Sequence, residues 1–138
     1  IEDCPKLEEL PKDMLVNKSA FIFNCSKLKN YPKLLPEVEN ITSFNTGVFE
    51  LPDNIKSVGS ITIDRSPNIT HLPNSLQEVE ILHLAGCPNL TTIPKHLKVW
   101  DLVVFKCPKL IIPDEVIERS EEVWVDGEYI KTYTNEIN

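Results

Sequence analysis

A chain of 138 residues, 41% hydrophobic and 25% charged, has the make-up of one compact domain or one solenoid segment, which excludes a disordered tail. No apolar run approaches the ~18 residues that span a bilayer, and no signal peptide is visible; with Ile1 first, any leader is expected to be missing. A net charge of −7 without a basic cluster argues against nucleic acid and against insertion into acidic membrane surfaces, both of which it would be repelled by.

The predicted elements recur at a fixed period. Six turn residues, Cys4, Cys25, Thr46, Ser66, Cys87 and Cys107, follow one another at spacings of 21, 21, 20, 21 and 20. The first unit is incomplete, because Ile1 already stands three residues before its turn. Each later unit predicts a strand with inward residues eight, five and three positions ahead of the turn. These are Asn17, Ala20 and Ile22, then Val38, Ile41 and Ser43, then Val58, Ile61 and Ile63. Val79, Leu82 and Leu84 follow, then Val99, Leu102 and Val104. Three residues after each turn an inward residue is expected again: Leu7, Leu28, Phe49, Ile69, Leu90 and Leu110. A proline closes each unit, from Pro11 to Pro113, and a further apolar residue follows it: Met14, Leu35, Ile55, Leu76, Leu97 and Val116.

Alternation with period two reads as a strand with one buried face. A unit this short cannot bury that face alone, so neighbours must stack into a continuous core with their strands side by side in a parallel sheet. About a dozen residues then remain to return the chain, with a proline among them, which leaves no room for a long helix. Beyond the sixth unit, Val123 and Val125 continue the alternation and Asp126-Gly127 is a two-residue hairpin signal. Residues 114–138 are therefore expected to form a last strand and a hairpin-like cap over an otherwise open sheet edge.

The pattern L-x-x-L-x-L-x-x-C-x-x-L with a following x-x-L/I-P, spelled out in "CPKLEELP" (Cys4 to Pro11) and "CPNLTTIP" (Cys87 to Pro94), resembles that of leucine-rich repeats. The wording is similar to plant disease-resistance receptors, and the short unit is similar to bacterial secreted effectors. The likeness runs from Ile1 to about Val125. It implies a leucine-rich-repeat solenoid of about six units over residues 1–113, with a parallel β-sheet on the concave side and extended or short-turn segments on the convex side. It also implies that the turn side chains point inward and donate to a backbone carbonyl of a neighbouring unit, as thiols at Cys4, Cys25, Cys87 and Cys107 and as hydroxyls at Thr46 and Ser66. Cys4 and Cys25, or Cys87 and Cys107, are near enough in the stack for a disulfide, but parallel side chains point the same way rather than at each other. The zinc spacing C-x2-4-C is lacking, so no metal is expected.

The inward half of each unit repeats and the outward half does not. Facing outward are Phe21 and Phe23, Thr42 and Phe44, Thr62 and Asp64, His83 and Ala85, Val103 and Phe105, and Trp124 and Asp126. Aromatic residues gather at both ends, with Trp100 placed just before its strand, and a polar middle of Thr62, Asp64 and His83 separates them. Such a patch marks a contact site, packs on itself across strands, or is covered by a flanking domain. The candidate partner-binding residues are Phe21, Phe23, Phe44, Asp64, His83, Trp100, Phe105 and Trp124. His83 beside Asp64 is the one constellation that suggests chemistry, yet it has no nucleophile and sits on an open surface. His71 and His96 read as residues of the outer surface. With no phosphate loop or dinucleotide motif, no cofactor and no enzymatic activity are expected.

The expectation is a non-enzymatic module that binds a protein partner through its concave sheet. Its alternatives are a subunit that assembles end to end through an open first edge, and the substrate-recognition part of a larger receptor or ubiquitin-ligase effector. For localisation, unpaired thiols point to a cytoplasmic or host-cell reducing compartment, whereas five Asn-x-Ser/Thr sequons, at Asn17, Asn24, Asn40, Asn68 and Asn89, are compatible with secretion.

Overall fold

The computed structural model of the protein describes residues 1–34 and 36–131. It is a parallel-strand β-solenoid of about five turns with almost no helix. The strands are β1 (Leu15–Val16), β2 (Ser19–Cys25), β3 (Lys33–Leu34), β4 (Asn40–Thr46), β5 (Ser57–Asp64), β6 (Glu78–Ala85), β7 (Lys98–Phe105), β8 (Glu122–Val125) and β9 (Glu128–Lys131). Seven of them make one sheet in the order β2-β4-β5-β6-β7-β8-β9, while β1 and β3 pair in a separate two-stranded sheet. Every contact of the large sheet is parallel except the last, β8 with β9, which is antiparallel. No helix is long and apolar enough to cross a membrane.

Burial explains the repeat. Ile61, Leu82 and Leu102 are cross-strand partners in one inward row, and Ile63, Leu84 and Val104 in the next. All six are buried, as are Val58, Val79 and Val99 at the start of the same strands. Each such side chain contributes roughly 1.5–3 kcal/mol relative to exposure. The gap of three between the first two inward residues is a local break in alternation: Val58 pairs with Val79 and Ser60 with Ile81, while the residue between is skipped. Trp100 occupies that skipped position inside β7, so it is not, as expected, outside its strand.

A single backbone state ends each strand. The residue before every turn position has a positive φ: Asp3, Asn24, Asn45, Arg65, Gly86 and Lys106 lie between 52° and 58°. The left-handed kink turns the chain out of the sheet, and Asn, Asp and Gly enter it at little cost. Asn24 Nδ2 donates to Asp3 Oδ1 at 2.8 Å and Asn45 Nδ2 to Asn24 Oδ1 at 3.1 Å, linking three successive kinks. On the convex side, carbonyls left free by the lack of a helix are satisfied by side chains of the next turn. Asn54 Nδ2 donates to Leu34 O, Ser75 Oγ to Ile55 O, and His96 Nε2 to Leu76 O, at 2.8, 2.8 and 3.0 Å.

Several expectations change. Phe49 is 41% exposed and Val48 is buried in its place, because this unit is one residue shorter between turn and proline. Ile1, expected inward, is 44% exposed and runs beside β2, where its backbone carbonyl accepts from Phe23 N at 2.9 Å. Asn17 is exposed, and Val16 packs on the core instead. The last return carries a helix, α1 (Asp114–Arg119), where acidic residues in the first turn and Arg119 in the last complement the dipole and Val116 is buried. Within 114–138, β8 and β9 are joined by Asp126 and Gly127, both with positive φ as a type I′ hairpin turn requires. Leu35 and residues 132–138 of the expected cap lie outside the described residues.

Candidate functional site

The strand register fixes the concave face as three rows. Phe21, Thr42, Thr62, His83, Val103 and Trp124 form the central one. Phe23, Phe44, Asp64, Ala85 and Phe105 lie on the side next to the kinks. Ser19, Asn40, Ser60, Ile81, Asp101 and Glu122 lie on the other. In that last row Ser60 Oγ donates to Asn40 Oδ1 at 2.7 Å and Asn40 Nδ2 to Ser19 Oγ at 3.3 Å.

Of the eight candidate residues, three gather at the first end. Phe23 and Phe44 pack with ring centroids 6.1 Å apart, and Phe21 on the neighbouring row is 48% exposed. The guanidinium of Arg65 covers the Phe44 ring at 5.0 Å and pairs with Asp64 at 3.8 Å. In the middle, the register sets His83 opposite Thr62, and among the described residues no hydrogen bond joins His83 to Asp64. At the far end an open hollow of about 450 Å³ is lined by Asp64, His83, Ala85, Val103, Phe105 and Trp124. Trp100 is not part of it; its ring carries the Lys98 ammonium at 4.6 Å.

Sequence reasoning missed four participants. Tyr129 lies across the hairpin from Trp124 with their rings in contact. The Asp126-Gly127 turn contained that register, since a two-residue turn sets Val125 opposite Glu128 and Trp124 opposite Tyr129. Arg65 and Lys106 were missed because they occupy the kink, where Asn and Asp in other units are the only hint; Lys106 covers the Phe105 ring at 5.2 Å. Exposed Ile81, in the outer row, had no signal at all.

The turn residues behave differently from the expectation that they reach a neighbouring unit. Cys4, Cys25, Cys87 and Cys107 Sγ each donate to the carbonyl two residues earlier in their own unit, at 3.2, 3.2, 3.2 and 3.6 Å. Only Cys87 also reaches back, to Ile63 O at 3.9 Å. All four thiols are free. The neighbouring Cys107 and burial hold the Cys87 thiol well above its usual pKa, while the neighbouring Cys87 draws Cys107 below it. Thr46 and Ser66 bond to each other at 3.2 Å and Thr46 to Ser43 at 2.7 Å, a buried hydroxyl cluster inside an aliphatic core. Four sequon amides are engaged as donors, Asn24 to Asp3, Asn40 to Ser19, Asn68 to Gly47 O and Asn89 to Pro67 O.

A second cavity, of about 480 Å³, opens on the proline side of the early units, between Pro11, Pro32 and Pro52. Tyr31 lines it, yet its hydroxyl is buried and unpaired. Burial pushes its pKa far above the usual tyrosine value, and the nearby Ser43 hydroxyl, which does not reach hydrogen-bonding geometry with it, offsets only part of the rise. In comparisons with known proteins, the chain matches no family, no curated protein and no solved structure.

Proposed function

We propose that the chain is a leucine-rich-repeat recognition module, built of six units of which the first is incomplete, that binds a protein partner on its concave face without catalysing a reaction. The observation that carries this reading is the contrast between the two sides of one sheet. Inward rows are aliphatic but for Ser43, whereas the outward rows hold two aromatic clusters, the half-buried Phe23 and Phe44 beside the exposed Phe21, and the half-buried Trp124 beside the exposed Phe105 and Tyr129. Exposed rings on a rigid platform are the anchors from which protein interfaces draw most of their affinity.

Replacing Phe21, Phe23, Phe105 and Trp124 together by Ser tests the reading. The variant should keep the circular dichroism and cooperative melt of the parent while losing the proteins that cross-link to it. Retention of the same cross-linked partners by a folded variant would sink it.

Assembly end to end is the second reading, in which the outer edge of β2, paired among the described residues by Glu2 opposite Phe23 and by Ile1 N on Phe21 O, is extended by a second copy. Light scattering that finds a strict monomer at high concentration removes this reading.

A further inference from the structure

We propose that the hollow over Ala85 and Val103, flanked by Phe105 and Trp124 on one side and by Asp64 on the other, is a subsite for an arginine side chain on a basic segment of the partner, its stem and guanidinium lying against Trp124 and its donors turned toward the Asp64 carboxylate. The inference rests on the concave face being the binding face. The floor of the hollow is small, with Ala85 between Asp64 and Phe105 in one row and Val103 between His83 and Trp124 in the next, so the rings stand on one side and the acid and imidazole on the other. At about 450 Å³ and open to solvent, it admits a long side chain with part of its backbone.

The face already shows what its rings accept. Arg65 covers Phe44 at 5.0 Å, Lys106 covers Phe105 at 5.2 Å and Lys98 covers Trp100 at 4.6 Å. Trp124 touches Tyr129 and carries no cation among the described residues, although indole is the strongest cation-binding ring. Arg65 is a weak rival for Asp64: their contact is 3.8 Å long and the arginine side chain is 69% exposed.

Charge points the same way. Asp101 and Glu122 are direct cross-strand partners, an arrangement of like charges that destabilises a sheet. A cationic partner removes that repulsion and an anionic one worsens it. Arginine fits better than lysine because its planar, weakly hydrated head stacks on a ring and offers several donors to a carboxylate at once.

The test is a titration of the ¹⁵N-labelled full chain with acetyl-Gly-Gly-Arg-Gly-Gly-amide, with the citrulline peptide as the neutral isostere. Saturable shifts are expected at the Trp124 indole and at the Val103 and Phe105 amides. The citrulline peptide and the Asp64→Asn protein should each bind about tenfold more weakly, the loss of one charge-assisted hydrogen bond. A Trp124→Phe protein should lose a few-fold while keeping its ring packing. Equal binding of the citrulline peptide, shifts centred on Phe21 and Phe23 instead, or no saturable shift at all would each overturn the subsite. Should that happen while the four-serine variant still loses its partner, the concave-face reading survives without the subsite. If the four-serine variant keeps its partner, both fall.

Discussion

Single residues in this fold divide by the side of the sheet they occupy. Leu84 and His83 are adjacent in β6, yet Leu84 is fully buried and His83 lies in the outward row. Leu84→Ala or Leu90→Ala should cost about 2–5 kcal/mol, and His83→Ala under about 0.5 kcal/mol, as read from denaturant unfolding. Two glycines separate two causes. Gly86 has φ +58° and no atom within 3.4 Å of an added Cβ, so Gly86→Ala should cost about 1 kcal/mol of backbone strain. At Gly47 an added Cβ would meet the Ser26 carbonyl oxygen, a backbone atom that cannot step aside, so Gly47→Ala should cost more. Tyr31 stands where the neighbouring units have Leu10, Leu51 and Leu72, and the small Ser43 takes an inward slot held elsewhere by Ile22, Ile63 or Leu84. The ring suits that slot but the hydroxyl finds no partner, so Tyr31→Phe should stabilise by about 1 kcal/mol. Because the folded state holds this proton more tightly than the unfolded chain does, the associated stability is complete below pH 10 and is lost as pH rises above it. The Phe variant should lack that part of the alkaline decline.

At the level of elements, the kink and the turn position work as a pair: positive φ ends the strand, and the next side chain closes on its own unit. The spacing of 20 or 21 made the turns legible, but not the direction of their hydrogen bonds, which depends on a backbone conformation that Arg65 and Lys106 adopt against their own preference. Unequal unit lengths had a similar effect at Phe49, where alignment on the turn residue alone carried a one-residue deletion into the wrong slot. The helix α1 was obscured because the shared proline pattern suggested that all returns are alike, whereas the one after Pro113 places acidic residues in a first turn and Arg119 in a last. Pairing predicts a gradient of protection. β4, β5 and β6 each have long parallel partners on both sides, while β7 has the four-residue β8 on one side, β2 meets a short stub and, among the described residues, β9 has one neighbour. Hydrogen exchange should be slowest in β6 and fastest in β9 and in the two-residue β1–β3 pair.

Across the whole molecule, about five stacked turns present a long, rigid, outward surface whose composition changes from end to end. On the proposed reading, the aromatic start, polar middle and aromatic, acidic end are matched to an extended partner rather than to an enclosed small molecule. By itself, the sequence determined the period, the inward rows and the strand-and-return plan, because each turn must bury the same apolar positions against its neighbours and such a demand leaves a periodic trace. Only the tertiary structure decided which outward side chains meet. Tyr129 against Trp124, Arg65 over Phe44, and Asp101 opposite Glu122 arise from cross-strand register and local kinks, which bring together residues that no shared burial requirement obliges to recur.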